Sequence, residues 1–334
     1  MREPRETAAA LLCTALDLDR GSLESFDSAP GICRNEVWRA GLADGRGGFY
    51  LKVQGGPLPS WSVRDEASVL AALADSGLPA PSLMAHGEVR NAEVAADDAR
   101  SYLVTAELPG LPLQDVPRGA CATTPGVGGG SPRPFAALTR SLLEFLGDLQ
   151  DAAHARDVLS AQMPGLVGPF RPEYDPLAEA RQLLDGEDLA LPVWSRSVLD
   201  RELRGLSETP PRLRFDLVHG SLVPHNVLVL RDSRRALELT GVLDFEGTHL
   251  GDAMSDVTTF ALGLVGDGHA EAAEQWLRAA GQRYGRGRVR SRVPAFALAI
   301  LFRRLQRAGA RTRARELGAA RCAIACILQA CGSV

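Results

Sequence analysis

Two stretches near the middle of the chain restrict its fold more than any other feature. They are FDLVHGSLVPHNVLVLRD, residues 215–232, and LELTGVLDFEG, residues 237–247. FDLVHG, NVLVLRD and LELTGVLDF are short Val- and Leu-rich runs bounded by Gly, Pro or charged residues, the pattern of strands. The last two are predicted to form a hairpin. Between the first strand and the hairpin lies a short loop carrying His219, Ser221 and Asn226, and the hairpin's return strand ends on Asp244. Taken one at a time, Asn226 reads as a turn cap and Asp244 as a strand end. Their joint spacing, with VLDFEGTHLGDAMSDV following VHGSLVPHNVLV, is far more specific than either alone.

A second restriction comes from the basic residues. Of 37 Lys and Arg, one is a lysine, Lys52, and the rest are arginines. A chain that uses Arg everywhere else but keeps one compact ammonium points to a task a planar fork does not suit. Lys52 lies in RNEVWRAGLADGRGGFYLKVQ (34–54), two strand-type runs flanking the turn signal LADGRGG. The next segment, SVRDEASVLAALADSG (62–77), has helical periodicity, with Val63, Ala67, Leu70, Ala71 and Leu73 on one face. Ser62 is a candidate cap, and Gly77 a stop. A strand is expected in SYLVTAEL (101–108), so the first part of the chain is a small antiparallel sheet with one helix. The first 20 residues are expected to be helical.

The Pro- and Gly-rich segment PRGACATTPGVGGGSPRP (117–134) is expected to be a mobile surface loop. Beyond it, helices are expected over 134–159, near 175–185 and 195–207, and throughout 252–331. VPAFALAILF (293–302) is too short to cross a bilayer and is expected to be a buried helix. The charged N-terminus lacks the pattern of a secretory signal, which predicts a cytoplasmic protein without a membrane partner. Six scattered cysteines give no disulfide framework or zinc spacing. Cys322 and Cys326 are expected to be small core residues.

The order of these pieces (strand Lys, helix Glu, linker strand, loop Asn, strand-end Asp) resembles that of aminoglycoside phosphotransferases and other small-molecule kinases of the protein-kinase-like fold. LVHGSLVPHNVLVL resembles their loop H-G-D-x-x-x-x-N, with Ser221 where the Asp is expected. The resemblance spans roughly residues 28–260. It implies a two-lobed α+β fold, with a small antiparallel-sheet N-lobe over 1–108 and a mainly helical C-lobe over 109–334. It also implies ATP and Mg2+ as cofactors. Lys52, in FYLKV, would bind phosphates, and Glu66, 14 residues on in RDEASVL, would pair with it. Asn226 and Asp244 would hold magnesium, which takes few protein ligands and favours hard oxygens. His219 would shape the catalytic loop, and Asp252 and Asp256 would brace it. The backbone of the linker, at Ala106 and Leu108, would meet adenine.

The chain departs from the family's pattern in three places. No glycine-rich phosphate loop precedes Lys52; Val223 and His225 replace residues that are often His and Gly; and Ser221 replaces the Asp. A hydroxyl does not take a proton as a carboxylate does. General-base catalysis supplies only about 10²- to 10⁴-fold, however, and a loose phosphoryl-transfer transition state depends mainly on positioning and charge. The expectation is therefore a Mg-ATP-dependent phosphotransferase acting on a hydroxyl of a small molecule or peptide, with Ser221 marking the acceptor position. Glu246, His225 and His249 are the candidates for a substitute base. The alternative is an ATP-binding pseudokinase that acts by partner contact. Transfer of another part of the nucleotide, such as AMP, is a third possibility that only the missing Asp suggests.

Charge distribution narrows the acceptor. Residues 283–315 contain eleven Arg and no acid; removing those eleven charges from the formal −4 leaves −15 on the remainder. A face formed by Arg283, Arg286, Arg288, Arg290 and Arg292 is expected to favour an anionic acceptor and to disfavour a cationic aminoglycoside. Nucleic acid is not the expected partner.

Overall fold

The computed structural model describes residues 4–29, 35–45, 47–55, 63–89, 100–116, 134–152, 157, 159, 176–185, 204, 216–231, 236–307 and 310–334. The segment 117–133, expected to be a mobile loop, and most of the helix expected over 195–207 lie outside the described residues.

The chain begins with helix α1 (Pro4–Leu16) and continues into strands β1 (Leu23–Ser28), β2 (Glu36–Leu42) and β3 (Gly48–Val53). Helix α2 (Val63–Leu73) follows, then β4 (Leu83–Val89) and β5 (Arg100–Ala106). The five strands form one sheet in the order β1-β2-β3-β5-β4, every neighbouring pair antiparallel. Lys52 on β3 is therefore central, opposite Val37 on one side and Leu103 on the other. Leu12 and Ala8 of α1 pack with Phe26, Ala40, Leu51 and Val104, and the Trp38 ring stacks on Phe26 at 5.2 Å.

Helix α2 divides its apolar residues between two cores. Val63 and Ala67 pack on Leu103 and Leu83 of the sheet. Val69, Leu70 and Leu73 belong to the large helical core that follows. Ala71, expected on the buried face, is exposed, and Val69 takes its place. The helix is thus sandwiched, and one stripe of apolar residues is not enough to cover both neighbours.

After a short β6 (Leu111–Pro112), helices α3 (Pro134–Asp151) and α4 (Pro176–Asp185) lead to β7 (Asp216–Val218). β8 (Val227–Arg231) and β9 (Leu237–Val242) form the expected hairpin, with Val227 opposite Val242. β6 joins its edge, and β10 (His249–Gly251) pairs with β7. Helices α5 (Met254–Gly266), α6 (Ala270–Tyr284), α7 (Arg286–Arg307) and α8 (Ala310–Gly332) complete the chain. Residues 293–302 lie in α7, and all but Pro294 and Ile300 of their apolar side chains are core. Cys322 is exposed and Cys326 half-buried on α8, so neither is the core residue the sequence suggested. Among the described residues no helix is long and apolar enough to cross a membrane.

Candidate active site

The first element of the site is the loop after β7. Gly220 has a φ of +76°, and a Cβ there would collide with the Gly247 carbonyl oxygen, so glycine is required on both counts. His219 is fully buried. Its Nε2 lies 2.9 Å from the Leu243 carbonyl, which can only accept, so Nε2 carries the proton. Nδ1 is then the acceptor for the Ser221 N–H at 3.2 Å. Burial lowers the His219 pKa to about 4, which keeps the ring neutral. Its edge packs on the Phe245 ring at 4.7 Å. Asp256, at the start of α5, accepts the N–H groups of His219 and Gly220 at 2.7 and 2.8 Å. Burial raises the Asp256 carboxyl to about 6 despite those two donors.

Asn226 closes the loop. Its Nδ2 donates to the Ser221 carbonyl at 2.9 Å and approaches Ser221 Oγ at 3.4 Å. With the nitrogen so engaged, Oδ1 is the atom the amide offers to a cation. The Asn226 carbonyl accepts the Leu243 N–H at 2.8 Å, which fixes the loop beside the residue preceding Asp244.

Asp244 adopts the left-handed conformation, φ 67° and ψ 64°, where few non-glycine residues sit. Asp is among those that tolerate it, and such local strain concentrates at functional sites. There its Oδ1 lies 2.7 Å from Lys52 Nζ. The same ammonium meets Glu66 Oε2 at 2.8 Å and Glu246 Oε2 at 2.9 Å. Glu66 uses its other oxygen to accept the Phe245 N–H at 3.2 Å, so α2 is tied to the turn after Asp244. Glu246 also accepts from Asn35 Nδ2 at 3.1 Å.

The electrostatics follow from three carboxylates around one ammonium. Burial opposes the Lys52 charge, but Glu66, Asp244 and Glu246 outweigh it and hold the pKa above the usual lysine range. Burial likewise opposes the Asp244 carboxylate, and Lys52 more than compensates, keeping it below its ordinary value. For Glu66 burial wins, and its carboxyl is raised in spite of Lys52. Oxygens of Glu66, Asp244 and Glu246 lie within 4.8 Å of one another, close enough to share a metal ion.

Lys52, Glu66 and Asp244 thus converge, with Asn226 one hydrogen bond away along the backbone. The sequence reading weighed Glu246 only as a substitute base, whereas it is the third acid on Lys52. Its signal was its place two residues after Asp244, on the same turn. His249, another candidate base, is buried with its Nδ1–H donating to the Gly247 carbonyl at 2.8 Å. His225 is exposed. Ala106 donates its N–H to Ser82 at 3.0 Å, and Glu107 donates to Gly48 at 2.8 Å.

The expected arginine face does not form as one surface. Arg283, Arg286 and Arg290 are exposed, but Arg292 is buried. Arg288 and Arg292 turn inward to Asp252, at 2.7 and 3.1 Å. An α-helix carries residues four apart on one side, so α7 sends these two toward α5 and the others outward.

A small antiparallel sheet, a sandwiched helix and a helical second lobe around this loop-and-turn site define a two-lobed protein-kinase-like α+β fold. The description "Phosphotransferase enzyme family" matches over residues 30–292, and the chain belongs to this family. Solved structures share the fold. The GDP complex of wild-type aminoglycoside 2'-phosphotransferase-IIIa superposes with a TM-score of 0.65 at 16% identity, over 97% of this chain and 99% of that one. A thermostable mutant of aminoglycoside phosphotransferase APH(4)-Ia, in ternary complex with ADP and hygromycin B, gives 0.60 at 16% identity, over 97% and 98%. No curated protein sequence matches the chain.

Proposed function

We propose that the protein is a nucleotide-dependent phosphotransferase that moves the terminal phosphoryl group of Mg-ATP to a hydroxyl. The observation that carries this reading is the placement of Lys52 Nζ within 2.7–2.9 Å of Glu66, Asp244 and Glu246. Lys52 would meet phosphate oxygens, with Glu66 keeping the ammonium aimed. Asp244 and the Asn226 oxygen would hold magnesium; the excess of carboxylates over ammonium groups, and an Asn226 amide with its nitrogen already spent, suit a divalent cation. Bound magnesium neutralises and orients phosphate oxygens. Since Ala106 and Glu107 use their own N–H groups within the sheet, adenine would meet the Ala106 carbonyl and the Leu108 N–H. The lobe boundary would fall at Leu108, with the N-lobe 1–108 and the C-lobe 109–334. His219, neutral with both nitrogens engaged, positions the loop rather than moving a proton.

The acceptor hydroxyl would approach Ser221. The acceptor would be an anionic small molecule or peptide rather than a polycation, with the exposed Arg283, Arg286 and Arg290 as candidate counter-charges. The second reading, a nucleotide-binding protein without transfer, is favoured by Ser221 itself, which offers no proton affinity. Calorimetric titration with Mg-ATP tests the site: the wild type binds, and Lys52→Ala and Asp244→Ala each weaken binding tenfold or more, about 1.4 kcal/mol. Absence of binding in the wild type overturns both readings. Binding without added phosphate mass on any anionic peptide, polyol or aminoglycoside in an acceptor panel leaves the second reading in place of the first.

A further inference from the structure

We propose that Ser221 is itself a phosphoryl acceptor, so that the chain phosphorylates its own catalytic-loop serine in cis. This rests on the nucleotide site proposed above. The Ser221 side chain is partly exposed while its backbone is held at both ends, by His219 Nδ1 on its N–H and Asn226 Nδ2 on its carbonyl. Gly247 packs beside it: a Cβ on Gly247 would rest 3.4 Å from Ser221 Cβ. The Ser221 Cβ thus packs on the turn that carries Asp244 and Glu246, and its Oγ lies 3.4 Å from Nδ2 of Asn226, a residue proposed to hold magnesium.

Proximity favours the internal hydroxyl over a diffusing one. Loss of the base costs any acceptor about 10²- to 10⁴-fold. A nucleophile that belongs to the chain already has the proximity that a diffusing acceptor must first gain by binding. Of the candidate bases, Glu246 is engaged by Lys52 and Asn35 and His249 is buried, which leaves the exposed His225. In the step, Ser221 Oγ forms a bond to the γ-phosphorus of ATP. The bond from that phosphorus to the β,γ-bridging oxygen breaks, and ADP leaves with the electron pair. The Oγ proton passes to an oxygen of the transferred group and then to water. The product carries about −1.5 to −2 charge beside a cluster already rich in carboxylates, which opposes rebinding of a polyanionic nucleotide. The cis reaction runs once per chain and closes the acceptor position to the external hydroxyl proposed above.

The test is intact-mass measurement on the full chain, treated first with phosphatase and then with Mg-ATP, together with site mapping. One added phosphoryl group is expected at Ser221, at a rate independent of protein concentration. It is lost in Ser221→Ala and Lys52→Ala and retained in Ser221→Thr. Calorimetry on wild type and Ser221→Ala separates the two ideas. Nucleotide binding with no added mass, with mass at another residue, or with a rate that rises with protein concentration overturns this inference and leaves the proposed nucleotide site standing. No nucleotide binding at all overturns both.

Discussion

Among the described residues, two charge clusters of opposite composition stand out. Around Lys52, three carboxylates share one ammonium; around Asp252, two guanidinium groups share one carboxylate. The acid-rich cluster is partly open, with the Asp244 and Glu246 side chains 24% and 32% exposed. The base-rich cluster is closed at its centre, with Asp252 3% and Arg292 4% exposed. Asp252 also accepts the Met254 N–H at 3.0 Å, at the start of α5. The difference separates two uses of charge. A cluster left open with surplus acid can exchange partners with an incoming cation or phosphate. A cluster closed around Asp252 and Arg292 holds the start of α5 to α7, because removing either partner leaves the other a buried ion.

Removing the sealed carboxylate is expected to have the largest effect. Asp252→Ala strands Arg292 in the core and lowers stability by about 3–5 kcal/mol, read from urea denaturation. A loss below about 1 kcal/mol, the range of exposed pairs, would erase the contrast between the clusters. In the open cluster, Lys52→Met leaves three acids without their cation. Glu66 and Asp244 then lose the cation that lowers their carboxyl pKa values, so the variant's deficit is greatest above the usual carboxylate range and shrinks as pH falls and these two take up protons. The expected loss at pH 7.5 is about 2–3 kcal/mol, smaller at pH 5.5, and reduced by millimolar magnesium. A deficit that does not change with pH or magnesium would show that the surplus acid is not what the lysine balances.

His219 and Asp256 sharpen the comparison because they titrate in opposite directions. The folded His219 binds its proton less tightly than the unfolded chain, so its contribution is complete above about pH 6.5 and is lost as pH falls toward about 4. Asp256 binds its proton more tightly when folded, so its contribution is complete below about 3.8 and is lost as pH rises toward about 6. The two slopes oppose each other in the wild type. Relative to it, His219→Gln is expected to lose more stability as pH rises over that window, and Asp256→Asn to gain. The His219 contribution amounts to roughly 3 kcal/mol. Matching pH profiles for both variants would refute the assignment. The smallest effect belongs to the outward arginines: Arg286→Glu and Arg290→Glu should each change stability by no more than about 0.5 kcal/mol, in contrast to Asp252's inward partners.

Those inward partners mark where sequence reasoning stopped. The Lys52–Glu66 pair was legible because a strand, a loop and a first helical turn fix the spacing between them. The hairpin delivering Asp244 was legible from two apolar runs and the polar residues between. Asp252 and its arginines are 36 and 40 residues apart, and their meeting depends on how α5 packs on α7, which no local pattern encodes. The eleven arginines looked like one face because composition carries no direction around a helix. Glu246 was read only as a candidate substitute base for the same reason: the left-handed turn at Asp244 brings it to Lys52. Ala71 failed because periodicity assumes one neighbour, and α2 has two.

That double allegiance of α2 has a mechanical consequence. A helix cemented into both lobes behaves as an axle rather than a door: neither lobe can swing away without shearing apolar contacts on one side of it. The ion pairs of Lys52 with Glu66, Asp244 and Glu246 add a second tie between the sheet, α2 and the turn beside it.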